Sequence, residues 1–338
     1  MEVARAHQLV PVVEPSQPSA ARFLARDTAE AVGFGEEDSY RLGLVATELA
    51  TNLVKHAQGG EILVRALGTD ADAVVELIAV DRGPGITDVR QALTDGHSSA
   101  GTAGSGLGAI RRLSDTFDIY SAPGHGTVVL AHVRPRRAAA KPARRRMEVG
   151  SISIPKNGED VCGDGWLVRE TPDLTVIAVA DGLGHGLHAR EAAAAVLEGC
   201  AQARLAGPAA MLELMHGAGR HTRGAAAALA ELRPHSGIVT CAGVGNISTS
   251  IVSAGSVRHA VSMPGTLGHE ARMFREYTYP WDTEALLVMH SDGLSAHWSF
   301  DGLPGLVSRH PSVIAAVLYR QCSRQRDDVT VVVARESR

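Results

Sequence analysis

The feature that most constrains this chain is a break in composition near its middle. Residues Arg134 to Val149 read "RPRRAAAKPARRRMEV", with seven basic residues, two prolines and almost nothing apolar. Such a stretch cannot bury enough surface to hold itself folded, so it reads as a linker. Two separate cores are therefore expected, one over 1–133 and one over 150–338, joined by a basic linker at 134–149. No aromatic is interleaved with the linker charges to stack on bases, and the net charge of the chain is −4. Nucleic acid is thus not an expected partner. No apolar run reaches the ~18 residues of a membrane-spanning helix, so no membrane partner is expected either. The segment "MEVARAHQLVPVVEP" lacks the apolar core of a signal peptide. Cys162, Cys200, Cys241 and Cys322 form no C-x-x-C pair, which implies neither a zinc site nor a disulfide framework and points to the reducing cytoplasm.

Before the linker, helical and extended patterns alternate. "SAARFLARDTAEAVGFG" predicts a helix capped by Ser19 and ended by Gly33, and a longer helix follows over roughly Glu37 to Ala57. "EILVRAL", "AVVELIAV", "DTFDIYS" and "GTVVLAHV" read as strands, with a short helix from about Leu107. This pattern predicts a two-layer α/β sandwich. After the linker come many short β-rich runs, from "SISIP" to "DVTVVVAR". Helical tracts are expected at about Leu187–Arg204, Ala209–Leu232 and Pro311–Cys322. That mixture predicts a β-sandwich with helices on its outside.

Three segments of the first half carry chemistry together. In "ATELATNLVKHA", Glu48, Asn52 and His56 are spaced four apart and share one helix face. A carboxylate and an amide beside a buried stripe need partners, which a magnesium ion and its water would supply. In "VDRGPGI", Asp81 closes a strand and can accept a hydrogen bond from an exocyclic amine. Gly83 and Gly85 would let backbone approach a flat ligand. In "GTAGSGLGAIRRL", Gly101, Gly104, Gly106 and Gly108 precede a helix whose free N–H groups suit phosphates. Taken in order, these segments resemble the nucleotide-binding boxes of the GHKL ATPase family, and most closely its anti-sigma-factor serine kinase branch with the RsbT switch kinases. The resemblance covers about Ala21 to Val133. It implies a Bergerat-type α/β fold, ATP with Mg2+ as cofactors and a serine kinase activity. It implies that Asn52 holds magnesium, Glu48 is the general base, Asp81 reads adenine, and Gly104, Gly106 and Gly108 cradle phosphates.

In the second half, aspartates recur at the ends of apolar strands: Asp164, Asp181 in "ADGLGHG", Asp292 in "HSDGLS", and Asp327 with Asp328 in "RDDVTVVV". Brought together without cations they would repel and raise one another's pKa. Hard divalent cations with oxygen ligands resolve this. The set resembles the SpoIIE/RsbX branch of the metal-dependent type 2C Ser/Thr phosphatases, over about Gly150 to Arg335. That resemblance implies two Mn2+ or Mg2+ ions. Asp181 would bridge them and Gly182 would add its carbonyl. Asp292 and Asp327 would bind one ion, and Asp164 would support the other. Asp160 is an alternative to Asp164, Asp328 either binds metal or holds a ligand in place, and His185 is either an acid for the leaving group or a loop histidine bonded locally. "TCAGVGN" (Thr240–Asn246) reads as core.

The two resemblances together imply a bifunctional partner-switching regulator that phosphorylates and dephosphorylates Ser/Thr of STAS-domain proteins. The expected partner is a STAS-domain antagonist or scaffold, such as a stressosome component, with a sigma factor or downstream effector beyond it. Oligomers are compatible with this. The alternative is an ATP-binding switch module whose only enzymatic activity is the phosphatase.

Overall fold

The structure is a computed structural model that describes residues 2–3, 5–68, 73–94, 106–136, 146–204, 206–233, 236–253 and 255–337. In chain order the elements begin with β1 (Glu2–Val3), β2 (Gln8–Val12), α1 (Pro18–Ala31), α2 (Glu36–His56), β3 (Gly60–Leu67) and β4 (Val74–Val80). Then come α3 (Val89–Ala92), α4 (Gly106–Leu113), β5 (Thr116–Ser121), β6 (Thr127–Val133), β7 (Met147–Ile154), β8 (Asp164–Thr171) and β9 (Leu174–Gly182). Next are α5 (Gly186–Gln202), α6 (Pro208–Gly219), β10 (Ala225–Leu232), β11 (Ile238–Val244), β12 (Ser248–Ser253) and β13 (Ser256–His259). The chain closes with β14 (Glu276–Pro280), β15 (Leu286–His290), α7 (Pro311–Cys322) and β16 (Val329–Glu336).

Two compact units form, and neither is one stretch of chain. The first comprises His7–Ala143 and Phe300–Arg320; the second comprises Met1–Ala6, Arg144–Ser299 and Gln321–Arg338. The segment from 300 to 320 therefore departs from the contiguous division expected at 133 and 150. Most of the linker, residues 137–145, lies outside the described residues.

In the first unit, five antiparallel strands run in the order β2-β3-β4-β6-β5. Leu42, Leu49, Ile62, Leu77 and Ile110 are among the core residues that α1, α2 and α4 bury against one face of this sheet. The acidic residues Glu36, Glu37 and Asp38 open α2, and Lys55 and His56 close it, complementing the helix dipole. α1 begins at Pro18, with no side-chain cap. Ser19 is thus inside the helix instead of capping it, because proline's fixed φ sets the first turn.

The strands β4 and β6 are buried at every residue, which requires cover on both sheet faces. α7 supplies the second cover. Beneath it Glu76 is fully buried and accepts hydrogen bonds from Arg65 Nε at 2.7 Å, Ser312 Oγ at 2.8 Å and His132 Nε2 at 2.9 Å, with His7 Nε2 at 3.2 Å. Burial pushes this carboxyl up, but Arg65 and the bonds from His132 and His7 outweigh it and hold the group well below the usual carboxylate range. The expected two layers are thus three, because a charge in the outer face of the sheet needs buried partners.

In the second unit, the sheets β1-β8-β9-β10-β11-β14 and β13-β12-β15-β16-β7 pack face to face. Val179, Ala228, Leu287 and Val332 lie between them. α5 and α6 cover the outside of the six-stranded sheet over Val176, Ala227 and Leu229, with Met215 of α6 packed in the same core. One helical expectation fails here. The tract Ala209–Leu232 divides at Gly224, and "AAAALAEL" is the central strand β10, buried throughout. Alanine's helix propensity is overridden because both faces are needed for packing, and its small side chain lets α5 and α6 approach the sheet. Among the described residues no helix is long and apolar enough to cross a membrane.

Candidate functional site

In the second unit the sheet register brings Asp164, first residue of β8, directly opposite Asp181, near the end of β9. Opposed residues of an antiparallel pair project from the same face. Asp164 is 3% exposed. Its Oδ2 accepts a 2.7 Å hydrogen bond from Ser291 Oγ, and its buried Oδ1 has no hydrogen-bond partner among the described residues. Burial, then the charge of Asp181, pushes the Asp164 carboxyl well up. Burial, then the carboxylates of Asp292, Asp327 and Asp328, pushes Asp181 up to about 7.

The other expected residues take distinct places. Asp292, half-buried, accepts from Asn246 Nδ2 at 2.7 Å. Asn246 is therefore not part of a core; it reaches the carboxylate from the turn between β11 and β12. Asp327 is exposed and accepts the N–H of Asp328. Both oxygens of Asp328 are taken by backbone, from Lys156 N at 2.8 Å and Gly163 N at 3.0 Å, so this side chain holds the turn before Asp164. Asp160 is exposed and is not in register with Asp181. His185 Nδ1 lies 2.6 Å from Glu159 Oε1, a partner that sequence spacing did not reveal. Gly182 has a strict local reason: a Cβ there would stand 1.9 Å from the carbonyl oxygen of Ala189, so only glycine lets α5 pass so close to the Asp181 turn.

Carboxylates gathered so closely that they push the Asp164 and Asp181 carboxyls up, with an unpartnered buried oxygen on Asp164, fit hard cations. Among the described residues no three His, Cys, Asp or Glu side chains close on a single ion.

In the first unit Asp81 is buried at the end of β4. Its Oδ1 accepts the N–H of Gly83 at 2.8 Å and of Thr127 at 3.0 Å. Burial pushes its carboxyl up against these bonds. The loop after β4 crosses the end of α2: a Cβ at Gly83 would lie 2.8 Å from the Cα of Ala57. Gly85 has φ +75°, and a Cβ there would meet the carbonyl oxygen of Ala122 at 2.1 Å. These glycines are thus needed by the chain's own packing, apart from any ligand. Glu48 and Asn52 are half-buried on α2, one turn apart. Gly106 and Gly108 lie in the first turn of α4, whereas Gly101 and Gly104 lie outside the described residues.

Comparison with known proteins finds a different family in each half of the chain. The histidine kinase-like ATPase domain family matches residues 12–132, and the Stage II sporulation protein E family matches residues 171–336. The serine/threonine-protein kinase RsbT of Bacillus subtilis (strain 168) is 38% identical over 112 residues, which is 33% of this chain and 84% of that protein. The phosphoserine phosphatase RsbX of the same organism is 26% identical over 141 residues, 41% of this chain and 71% of that protein. A solved structure from work on the bacterial stressosome as a modular system controlling secondary messenger signalling is 30% identical. It covers 56% of this chain and 100% of its own, with a TM-score of 0.53. The chain belongs to the RsbT family of serine kinases through its histidine kinase-like ATPase domain, and carries with it a phosphatase domain of the Stage II sporulation protein E family.

Proposed function

We propose that this protein is a bifunctional partner-switching regulator that phosphorylates and dephosphorylates Ser/Thr of a STAS-domain protein. The observation that carries the reading is the presence, in one chain, of two chemically opposite sites: the buried Asp81 turn beside α2 and the registered pair Asp164–Asp181. Covalent tethering keeps both activities at high effective concentration on one substrate.

In the first unit, Asp81 would bind adenine, Asn52 would hold Mg2+, Glu48 would take the substrate hydroxyl proton, and Gly104, Gly106 and Gly108 would cradle the phosphates of ATP. In the second, Asp181 with the carbonyl of Gly182 would hold two Mn2+ or Mg2+ ions, Asp292 and Asp327 would complete one site, and Asp164 would support the other. Such ions supply a hydroxide nucleophile at neutral pH and charge stabilisation at phosphorus. Ser291 orients Asp164 through its 2.7 Å hydrogen bond, and Asn246 orients Asp292. Asp328 fixes the Gly163 turn, so that Asp164 stays opposite Asp181. The likeness to RsbT and RsbX supports a STAS-domain antagonist or scaffold as substrate.

The test is incubation of the full chain with labelled ATP and a candidate STAS protein. Transient labelling that becomes permanent in Asp181→Asn is expected. Phosphatase activity with no labelling under any condition would leave the first unit as an ATP-binding switch only.

A further inference from the structure

The second cover of the first unit's sheet comes from between two phosphatase-type carboxylates. Residues 300–320 lie, in sequence, after Asp292 and before Asp327, yet pack with the nucleotide-type unit. Five contacts of this segment end on that sheet or its loops. Arg309 Nη1 and the backbone N–H of His310 bond the Asp118 carboxylate at 3.3 and 2.6 Å, Ser312 bonds Glu76, and Tyr319 donates to Glu61 Oε2 at 3.1 Å. The last contact is at Asp81 itself. Arg320 is 3% exposed, and its Nη1 donates to the main-chain oxygen of Asp81 at 3.1 Å. Its Nη2 is buried with no hydrogen-bond partner among the described residues. In return Arg82 donates to the main-chain oxygen of Arg320. Arg320 thus holds the backbone of Asp81, and Arg82 holds that of Arg320, at the turn that aims the Asp81 carboxylate.

Two to four residues further on, the same chain is bonded to the turn after Asp292. Ser295 N donates to the carbonyl of Cys322 at 2.9 Å, Arg324 N donates to that of Gly293 at 2.9 Å, and Leu294 forms a bridge with Ser323. Gly293 follows Asp292, and a Cβ there would lie 2.0 Å from the main-chain oxygen of Asp328. Within a few residues at the end of α7 the chain thus passes from a residue bonded to the Asp81 turn to residues bonded to the turn after Asp292.

We propose that Arg320 is a positioning residue of the nucleotide pocket, and that nucleotide bound at Asp81 stabilises the end of α7 and so tightens metal binding at Asp292 and Asp327. This rests on the reading of Asp81 as the adenine-binding residue. A ligand that fixes the Asp81 turn disfavours states in which Arg320 has let go, and by linkage metal then favours nucleotide by the same factor.

The test uses the full chain with ADP, which binds without transferring phosphate, at a clamped free manganese concentration. ADP affinity is measured by calorimetry, amide exchange over residues 321–328 by mass spectrometry without metal, and hydrolysis of p-nitrophenyl phosphate at sub-saturating manganese. In wild type, ADP should slow exchange at 321–328 and lower the half-saturating manganese concentration about fivefold, at the lower end of typical allosteric couplings. Arg320→Met should weaken ADP about tenfold, as for a lost hydrogen bond from a charged group, and remove both responses. If that variant melts too early to assay, Arg82→Ala carries the test, because its side chain is exposed; it should also abolish the exchange response. ADP binding with no change at 321–328 overturns the coupling, as does an unchanged response in Arg82→Ala. An ADP affinity within twofold of wild type in Arg320→Met overturns the positioning role. Failure of wild type to bind ADP at all would instead refute the nucleotide reading, and the proposal with it.

Discussion

Asp164 and Asp181 stand directly opposite each other on adjacent antiparallel strands, two carboxylates paired where a sheet ordinarily places opposite charges or apolar groups. The arrangement is unfavourable while both groups are charged, and a cation bound by them would relieve it. Asp181→Asn should therefore abolish manganese-dependent hydrolysis of a phosphoserine substrate while leaving the metal-free protein at least as stable as wild type. Hydrolysis at the wild-type rate, measured at saturating manganese, would remove Asp181 from the metal site.

The pH dependence follows from the same group. Its carboxyl is raised to about 7 in the folded chain and titrates near 3.9 when unfolded. The folded state thus holds the extra proton between these values, so this contribution to stability is full at low pH and is lost as pH rises through about 7. Under chelation, the second unit should melt higher at pH 6 than at pH 8, and Asp181→Asn should flatten that difference. With metal the trend inverts, because protons compete: half-saturating manganese should rise by up to about tenfold per pH unit below 7. Manganese titrations at pH 6, 7 and 8 check this.

Nucleotide binding gives a second pair of substitutions. Asp81→Asn should weaken ATP by about 1–3 kcal/mol, as a charge-assisted hydrogen bond is lost. Glu48→Gln should leave ATP affinity nearly intact and slow phosphoryl transfer, with ~10²-fold as the low end for a general base. Calorimetry and single-turnover labelling separate the two roles. An Asp81→Asn protein that binds ATP normally would displace Asp81 from the adenine pocket.

Much of this was legible from residues. The long helix α2, the strands around it and the aspartates at strand ends follow from periodicity and turn chemistry. The strand β10 was not, because eight residues rich in alanine carry no period that separates a strand buried on both faces from a helix. Only the left-handed Gly224 before it marked the break. β2 escaped because Pro11 interrupts its short apolar run. Asn246 and Glu159 escaped because their partners are distant in sequence. The signal for α7's true place lay in β4 and β6: runs apolar on both faces, with Glu76 and His132 set among them, asked for a second layer that the described residues before 134 do not supply.

That second layer has a measurable energy. Glu76→Ala leaves Arg65 buried without its carboxylate, and breaking a buried pair in this way costs about 3–5 kcal/mol. Chemical denaturation should report that loss at pH 7. Since the Glu76 carboxyl is held below its ordinary value, its contribution is present above the usual carboxylate range and fades as pH falls through the lowered folded value. The difference between wild type and Glu76→Ala should accordingly shrink in acid. A difference that stays constant down to pH 3 would mean the carboxylate is not the source of the loss.

A protein leaves the ribosome from its amino terminus, and the interleaving of the two units makes that order matter. The nucleotide-type sheet emerges early but keeps one face bare until residues 300–320 appear, by which time nearly all of the phosphatase-type sequence is outside the tunnel. Neither half can mature much before the other. A fragment that stops before residue 300 would therefore lack one cover of the nucleotide-type sheet.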